Sequence, residues 1–299
     1  TMESKTLLLD RITRYMLKTK GKQMRPIFVF LSAKLCGQIS ESTYTAAAMM
    51  ELLHTASLVH DDVVDDSIKR RGFWSINALW KSKIAVLVGD FLLSRGLLIA
   101  VKNKEYVLLE ILSEAVEEMA EGELLQIEKA RRLDIKEDIY YKIIKNKSAS
   151  LISAACKSGA SSVGGSTEEV QKLSLLGESI GMAFQIRDDL FDYGAEDVGK
   201  PLGIDIKEKK MTLPLIYSLQ KCTPKERRRI IYLIKRKNTK ASAIKEVIEF
   251  VNNSGGIEYA RKVMQGFRDE AVKILHEFPL SPARESMEQL IAYVTDRKK

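Results

Sequence analysis

From Thr43 to Asp66 the chain runs without a Gly or Pro, and apolar residues recur along it at the three- and four-residue spacing of a helix. Comparable stretches follow at roughly Ile84 to Val101, Leu108 to Ala130, Ile135 to Ser158, Glu168 to Tyr193 and Pro224 to Lys237. Turn-forming residues are sparse, with 6 Pro and 17 Gly in 299 residues, so long helices are expected rather than strands. The fold class read from this pattern is all-α. No Pro-, Gly- or Ser-rich stretch divides the chain, so a single domain over residues 1–299 is expected. Helix starts are written at Ser166-Thr167-Glu168-Glu169, a capping box, and at Thr223-Pro224-Lys225-Glu226 and Ser281-Pro282, where proline takes the first helical position. Gly199 to Lys210 reads as a long loop.

Two acidic clusters interrupt apolar helical stretches: Asp61-Asp62-Val63-Val64-Asp65-Asp66 and Asp188-Asp189-Leu190-Phe191-Asp192. Residues four apart share a helix face, so Asp61 lies with Asp65 and Asp188 with Asp192, flanked by Asp62 and Asp189. Like charges at that spacing destabilise a helix, and each cluster follows residues that belong in a core, so a cation should compensate. Oxygen donors without His or Cys favour magnesium, which binds through one or two carboxylates plus substrate phosphates. One Asp-Asp-x-x-Asp would arise by chance in roughly one chain of this length in fifteen, and two in only a few per thousand. The pair therefore points to a phosphate ester as ligand.

A net charge of +8 suits an anionic partner but does not choose among phosphorylated small molecules, membranes and nucleic acid. No nucleic-acid-binding motif is present, and the run Lys225-Glu226-Arg227-Arg228-Arg229 with Lys235-Arg236-Lys237 has no interleaved stacking aromatics; it reads as a solvated helix face. Cys36, Cys156 and Cys222 lack metal-ligand spacing and fit reduced thiols in a cytoplasmic protein. Ile84 to Val101 is interrupted by Asp90 and Arg95 and is not expected to span a membrane. The chain opens abruptly with Thr1-Met2-Glu3, which leaves room for a natural segment before it.

Basic groups stand in a suggestive order: Gly21-Lys22-Gln23-Met24-Arg25-Pro26, Arg70-Arg71-Gly72, Lys147-Ser148, Lys200 and Lys210. Together with Glu51-Leu52-Leu53-His54, His60-Asp61-Asp62, Gly89-Asp90-Phe91, Phe184-Gln185-Ile186-Arg187-Asp188-Asp189, Gly199-Lys200-Pro201 and Thr212-Leu213-Pro214, the chain resembles the trans-type isoprenyl diphosphate synthases from about Gly21 to its C-terminus. The resemblance implies a bundle of long antiparallel helices around a deep cavity, the two clusters facing each other across its mouth, and homodimerisation. By that resemblance Lys22, Arg25, His54 and Arg71 look like the isopentenyl diphosphate site. Arg70, Lys147, Lys200 and Lys210 look like ligands of the allylic diphosphate. Asp61, Asp62, Asp65, Asp188, Asp189 and Asp192 look like the shell of up to three magnesium ions, and Gln185 like the polar residue beside the developing cation. The family's usual Gly-Lys before Thr-Leu-Pro is Lys209-Lys210 here, so the diphosphate contact goes to Lys210 with Lys209 as alternative. Asp66 is set aside as a ligand. His60 is expected to pack or hydrogen-bond in the interior and His276 to lie on the surface.

Ala56 and Ser57, the small residues five and four before Asp61, stand where short-chain members of the family typically carry an aromatic block. A long-chain product follows, octaprenyl diphosphate as the point estimate and geranylgeranyl diphosphate as the alternative. A class I terpene cyclase would carry a different second motif, and a non-catalytic subunit of a heteromeric synthase would be expected to lose these charged residues. A transient membrane-surface contact for release of a greasy product is a further expectation.

Overall fold

The helix signals in the sequence are answered one by one in the computed structural model, which describes residues 6–18, 21–70, 72–130, 133, 135–194 and 202–296. In chain order these form α1 (Leu7–Lys18), α2 (Met24–Cys36), α3 (Glu41–Val64), a hairpin of β1 (Lys69–Arg70) and β2 (Phe73–Trp74), α4 (Ile76–Trp80), α5 (Ser82–Asn103) and α6 (Tyr106–Ala130). There follow α7 (Glu137–Ile144), a π-helical turn (Lys145–Ala149), α8 (Ser150–Ser161), α9 (Thr167–Phe191), α10 (Ile204–Lys207), α11 (Leu213–Lys221), α12 (Pro224–Lys237), α13 (Ala241–Asn253), α14 (Gly256–Leu275) and α15 (Pro282–Asp296). The all-α expectation holds. The two-residue strands pair antiparallel, Lys69 opposite Trp74 and Arg70 opposite Phe73, and are the only strands among the described residues.

Local chemistry explains the boundaries. Thr223 Oγ1 accepts from Glu226 N while the Glu226 carboxylate accepts from Thr223 N, so the capping box starts α12 as written. Ser166 and Glu169 do the same ahead of α9, and Ser281 Oγ accepts from Arg284 N ahead of α15. Ile135 to Ser158, expected as one helix, is interrupted at Lys145–Ala149 by the π turn. The expected loop Gly199 to Lys210 contains the short α10 within its described part.

The chain forms two compact units, Thr1–Ser113 with Ala155–Val170, and Glu114–Ala154 with Gln171–Lys299. In the first, Leu52, Ala56 and Val59 of α3 bury against Ala85, Val88 and Leu92 of α5, with Ile12 and Ile76 closing the cluster. α5 is long and apolar enough to cross a membrane by length and composition alone, but Asp90 and Arg95 lie within it and one of its faces is packed in this core. In the second unit, Ile186, Leu190 and Tyr193 at the end of α9 pack with Leu213 and Ile216 of α11 and Val247 of α13. Each core thus grips the helix that carries an aspartate cluster.

Candidate active site

In the first unit the acidic cluster occupies the last turn of α3. Asp61 is half-buried and Asp65 exposed, one turn apart, while Asp62 points inward, is only 4% exposed and accepts a 2.7 Å hydrogen bond from Arg70 Nε. Asp66 sits at φ 48°, exposed, away from the helix. The hairpin that carries Arg70 is tied to the helix end by Ser67 N donating to Asp62 O and by Ser75 Oγ donating to Ser67 O. One turn and more below, Arg25 NH1 donates to His54 Nε2 at 2.8 Å. Arginine cannot accept, so that nitrogen of His54 carries no proton and the ring is held as the neutral Nδ1–H tautomer.

A cavity of about 360 Å³ is lined by the polar Gln23, Glu51, His54, Asp62 and Arg70, by Gly21 and Pro26, and by the apolar Leu52, Leu58, Val59, Phe73 and Trp74. Gln23 caps α2 in the left-handed region at φ 51°, a conformation uncommon for a side chain other than Gly or Asn and often held at binding loops. Lys22 is exposed beside it. Tyr15 and Trp74 complete the wall, joined by a 2.8 Å bond from Tyr15 Oη to Trp74 O. Neither was a sequence candidate; for Trp74 the signal was the aromatic pair Phe73-Trp74 after Arg70-Arg71-Gly72, and Tyr15 carried none.

The second unit assembles a smaller pocket of about 100 Å³ from Lys147, Ser148, Gln185, Asp189, Asp205, Lys210 and Thr212, among others. A polar chain runs through it: Ser148 Oγ donates to Gln185 Oε1 (2.7 Å), Gln185 Nε2 donates to Asp189 (3.0 Å), and Tyr140 Oη donates to the other oxygen of Asp189 (2.7 Å). Lys147 and Ser148 lie on the π turn, which two glycines allow to approach its neighbours. A Cβ on Gly122 would come within 2.8 Å of Lys147 N, and one on Gly181 within 2.4 Å of Ala149 Cα. Lys147 pairs with Glu123. Of the two candidate lysines, Lys210 lines the pocket, paired with Glu208, whereas Lys209 sits at φ 59° and does not line it.

Asp188 is half-buried, while Asp189 and Asp192 have their carboxylates engaged within the protein. Asp192 accepts from the backbone of Ile204 (2.6 Å) and Asp205 (3.1 Å), and its carbonyl accepts from Gly203 N, so it caps α10 and ties that segment to the end of α9. Burial, and then the charge of Asp205, raise the Asp189 carboxyl above the ordinary carboxylate range; burial, and then the charge of Asp192, do the same for Asp205, with Lys210 pulling the other way. Asp62 is likewise raised by burial against the pull of Arg70. Asp205 was missed from sequence because it stands alone, thirteen residues after Asp192, and is brought in only by the cap.

Arg71 and Lys200 lie outside the described residues. Ala56 is buried in the α3–α5 core and Ser57 is half-buried, its hydroxyl donating to His54 O. His60 is half-buried, near Val86 O and the Asp90 carboxylate, and His276 is on the surface near Glu288. Among the described residues no three His, Cys, Asp or Glu side chains form a ready cage. Oxygen donors such as these aspartates suit a hard divalent cation that completes its shell with water and substrate phosphates.

A helical scaffold with two Asp-Asp-x-x-Asp helix ends, each beside basic side chains, is the make-up of a diphosphate-handling transferase. The Polyprenyl synthetase family model matches residues 6–251, and the chain belongs to that family; its activity is that of a prenyltransferase. It is 38% identical over 299 residues to the all-trans-nonaprenyl-diphosphate synthase (geranyl-diphosphate specific) of Rhodobacter capsulatus, covering 99% of this chain and 91% of that one. It is 36% identical to the octaprenyl diphosphate synthase of Escherichia coli (strain K12), covering 96% and 89%. Among solved structures, a decaprenyl diphosphate synthase from Rhodobacter capsulatus superposes with a TM-score of 0.95 at 35% identity, covering 100% and 93%. A polyprenyl synthase from Caulobacter crescentus CB15, complexed with calcium and isoprenyl diphosphate, superposes with a TM-score of 0.92 at 33% identity, covering 100% and 92%.

Proposed function

We propose that the chain joins isopentenyl diphosphate to an allylic diphosphate in a magnesium-dependent reaction and repeats the step to give a long-chain all-trans polyprenyl diphosphate, octaprenyl diphosphate as the point estimate. The observation that carries this reading is the pairing of basic and acidic groups in both pockets: Arg70 and His54, the latter held by Arg25 behind it, with Asp62 in one, Lys147 and Lys210 with Asp189 and Asp205 in the other. Such sets suit anions brought in with divalent cations.

In this reading Lys22, Arg25, His54 and Arg71 hold isopentenyl diphosphate, His54 in the neutral form that donates through Nδ1. Arg70, Lys147, Lys200 and Lys210 hold the allylic diphosphate. Asp61, Asp62, Asp65, Asp188, Asp189 and Asp192 form the metal shell, and hydrogen bonds within the protein hold the carboxylates of Asp62, Asp189 and Asp192 in place. Magnesium, when bound, supplies the positive charge that makes pyrophosphate a good leaving group. The lysines add to that charge, the carbon–oxygen bond ionises, and the electron pair leaves with pyrophosphate. Gln185, locked between Ser148 and Asp189, presents a fixed amide dipole beside the allylic cation. The isopentenyl double bond attacks the cation and the proton is lost to the departing pyrophosphate, since no side chain is an obvious base. Apolar side chains of the second pocket, such as Ile143, Ile144 and Met211, keep water from the cation.

Homodimerisation belongs to the same reading. The outward face of α5 exposes Val86, Leu87, Leu97, Leu98 and Val101, an apolar stripe of the kind a second copy covers. Release of the product through transient contact with a membrane surface completes it. The test is incubation with both diphosphates and magnesium, with a chelated control, and product mass spectrometry. Asp61→Ala and Asp188→Ala should each lower turnover by orders of magnitude while circular dichroism stays helical; near-normal turnover in either would sink the assignment.

A further inference from the structure

The charge of this molecule is concentrated on one helix. α12 holds seven Lys and Arg against the single Glu226, a net of +6 out of the chain's +8. It buries Ile230, Leu233 and Ile234, and turns the rest outward. At three- and four-residue spacing, Lys225, Arg228, Tyr232 and Lys235 form one solvent-facing stripe with Arg236 beside it, and all five are exposed.

The basic groups of α12 divide into two sets. Arg229 is neutralised by a two-pronged bond to Glu246, and Arg227 is turned back to the carbonyl of Leu219. Lys237 covers the ring of Tyr232. The stripe itself is different: among the described residues no carboxylate pairs with Lys225, Arg228, Lys235 or Arg236. Arg228 donates Nε to Pro224 O and keeps its charge at the surface. None of these residues lines either pocket, so diphosphate chemistry does not account for them.

We propose that this stripe of α12 is the surface by which the protein docks on an anionic lipid bilayer. A helix that is apolar on its protein side and carries four unpaired cations around a half-exposed tyrosine matches the peripheral electrostatic mode, in which basic residues meet acidic headgroups and an aromatic settles at their level. Nucleic acid fits less well, because a single ring offers no series of stacking platforms. The inference rests on the proposed long-chain product: such a hydrocarbon has no stable place in water, and a docked enzyme can deliver it to the bilayer.

The experiment is co-sedimentation of the full chain with phosphatidylcholine vesicles, with and without phosphatidylglycerol. Each basic residue that reaches an anionic surface raises partitioning about fivefold. Wild type should bind the anionic vesicles, lose binding as salt is raised, and fall by about tenfold or more in the variant Lys225→Gln/Arg228→Gln/Lys235→Gln/Arg236→Gln. Condensation of short substrates in vesicle-free buffer should be unchanged in that variant, which doubles as the check on folding. If it does not fold, Lys225→Gln/Lys235→Gln carries the test with a fall of about twenty-five-fold. Equal binding by variant and wild type, equal binding to neutral vesicles, or tighter binding of duplex DNA than of anionic vesicles at the same salt would overturn the proposal. The product assay fails independently: a short product seen by mass spectrometry would refute the long-chain reading, whereas an active long-chain enzyme indifferent to vesicles would refute docking alone.

Discussion

The hydrogen bond from Arg25 to His54 joins two residues twenty-nine positions apart and commits the imidazole to one tautomer. An ammonium group at position 25 could not reproduce the planar fork, so the pair is sensitive to more than loss of charge. Arg25→Ala should raise KM for isopentenyl diphosphate about tenfold or more, with a smaller effect on kcat and on KM for the allylic substrate, as steady-state kinetics with each substrate varied would show. Ala56, buried in the same core cluster as Val88 and Leu92, is a second residue whose size matters. Ala56→Phe should shorten the product; an unchanged chain length by chromatography would remove Ala56 as a determinant. Both residues were legible in the sequence, because a short motif fixed each position. Asp205 and Tyr140 were not, since neither belongs to a pattern and only tertiary packing brings them to Asp189.

At the scale of elements, the second pocket depends on the close approach of α6 and α9 to the π turn. Gly181→Ala would push a methyl group into the backbone of Ala149, where the nearest atom would lie 2.4 Å away. Overpacking of that kind costs about 1–3 kcal/mol. Gly181→Ala should therefore lower Tm and, by displacing Lys147 and Ser148, lower kcat beyond what the stability loss explains; a variant with normal kcat would show that the turn does not aim those groups. Long helices were readable because their period persists over many turns and their capping boxes name the start. The π turn was not, because Lys145 to Ala149 continues a helical pattern and one extra residue leaves no compositional mark. The hairpin was missed for the opposite reason: two residues per strand are too few to show alternation.

For the whole molecule, the buried carboxyls make folding sensitive to pH. Asp189 and Asp205 are both raised, so each binds its proton in the folded chain at a pH where the unfolded chain has released it. Stability from such a group is complete below the ordinary carboxylate value of about 4 and drains away as pH rises through the raised value. With chelator present, Tm should fall between about pH 4 and pH 8, and Asp205→Asn should flatten the slope; a slope of the opposite sign would refute the burial of these charges. Association belongs to this scale too. Leu87→Glu/Leu98→Glu should convert a dimer to monomer in sedimentation velocity, and a native chain that already sediments as a monomer would remove the α5 interface.

The π turn has a consequence for how this sequence tolerates change. A π turn is an α-helix with one residue too many, so its neighbourhood is poised for a deletion that would restore the regular ladder from α7 into α8. Removing Asn146 would close that wide turn and leave α7 and α8 in phase, while re-aiming the side chains of the turn itself, Lys147 and Ser148 among them. A chain shortened by that residue would gain a straighter helix and lose the aim of Lys147, so the length of this segment, more than its composition, sets where the lysine points.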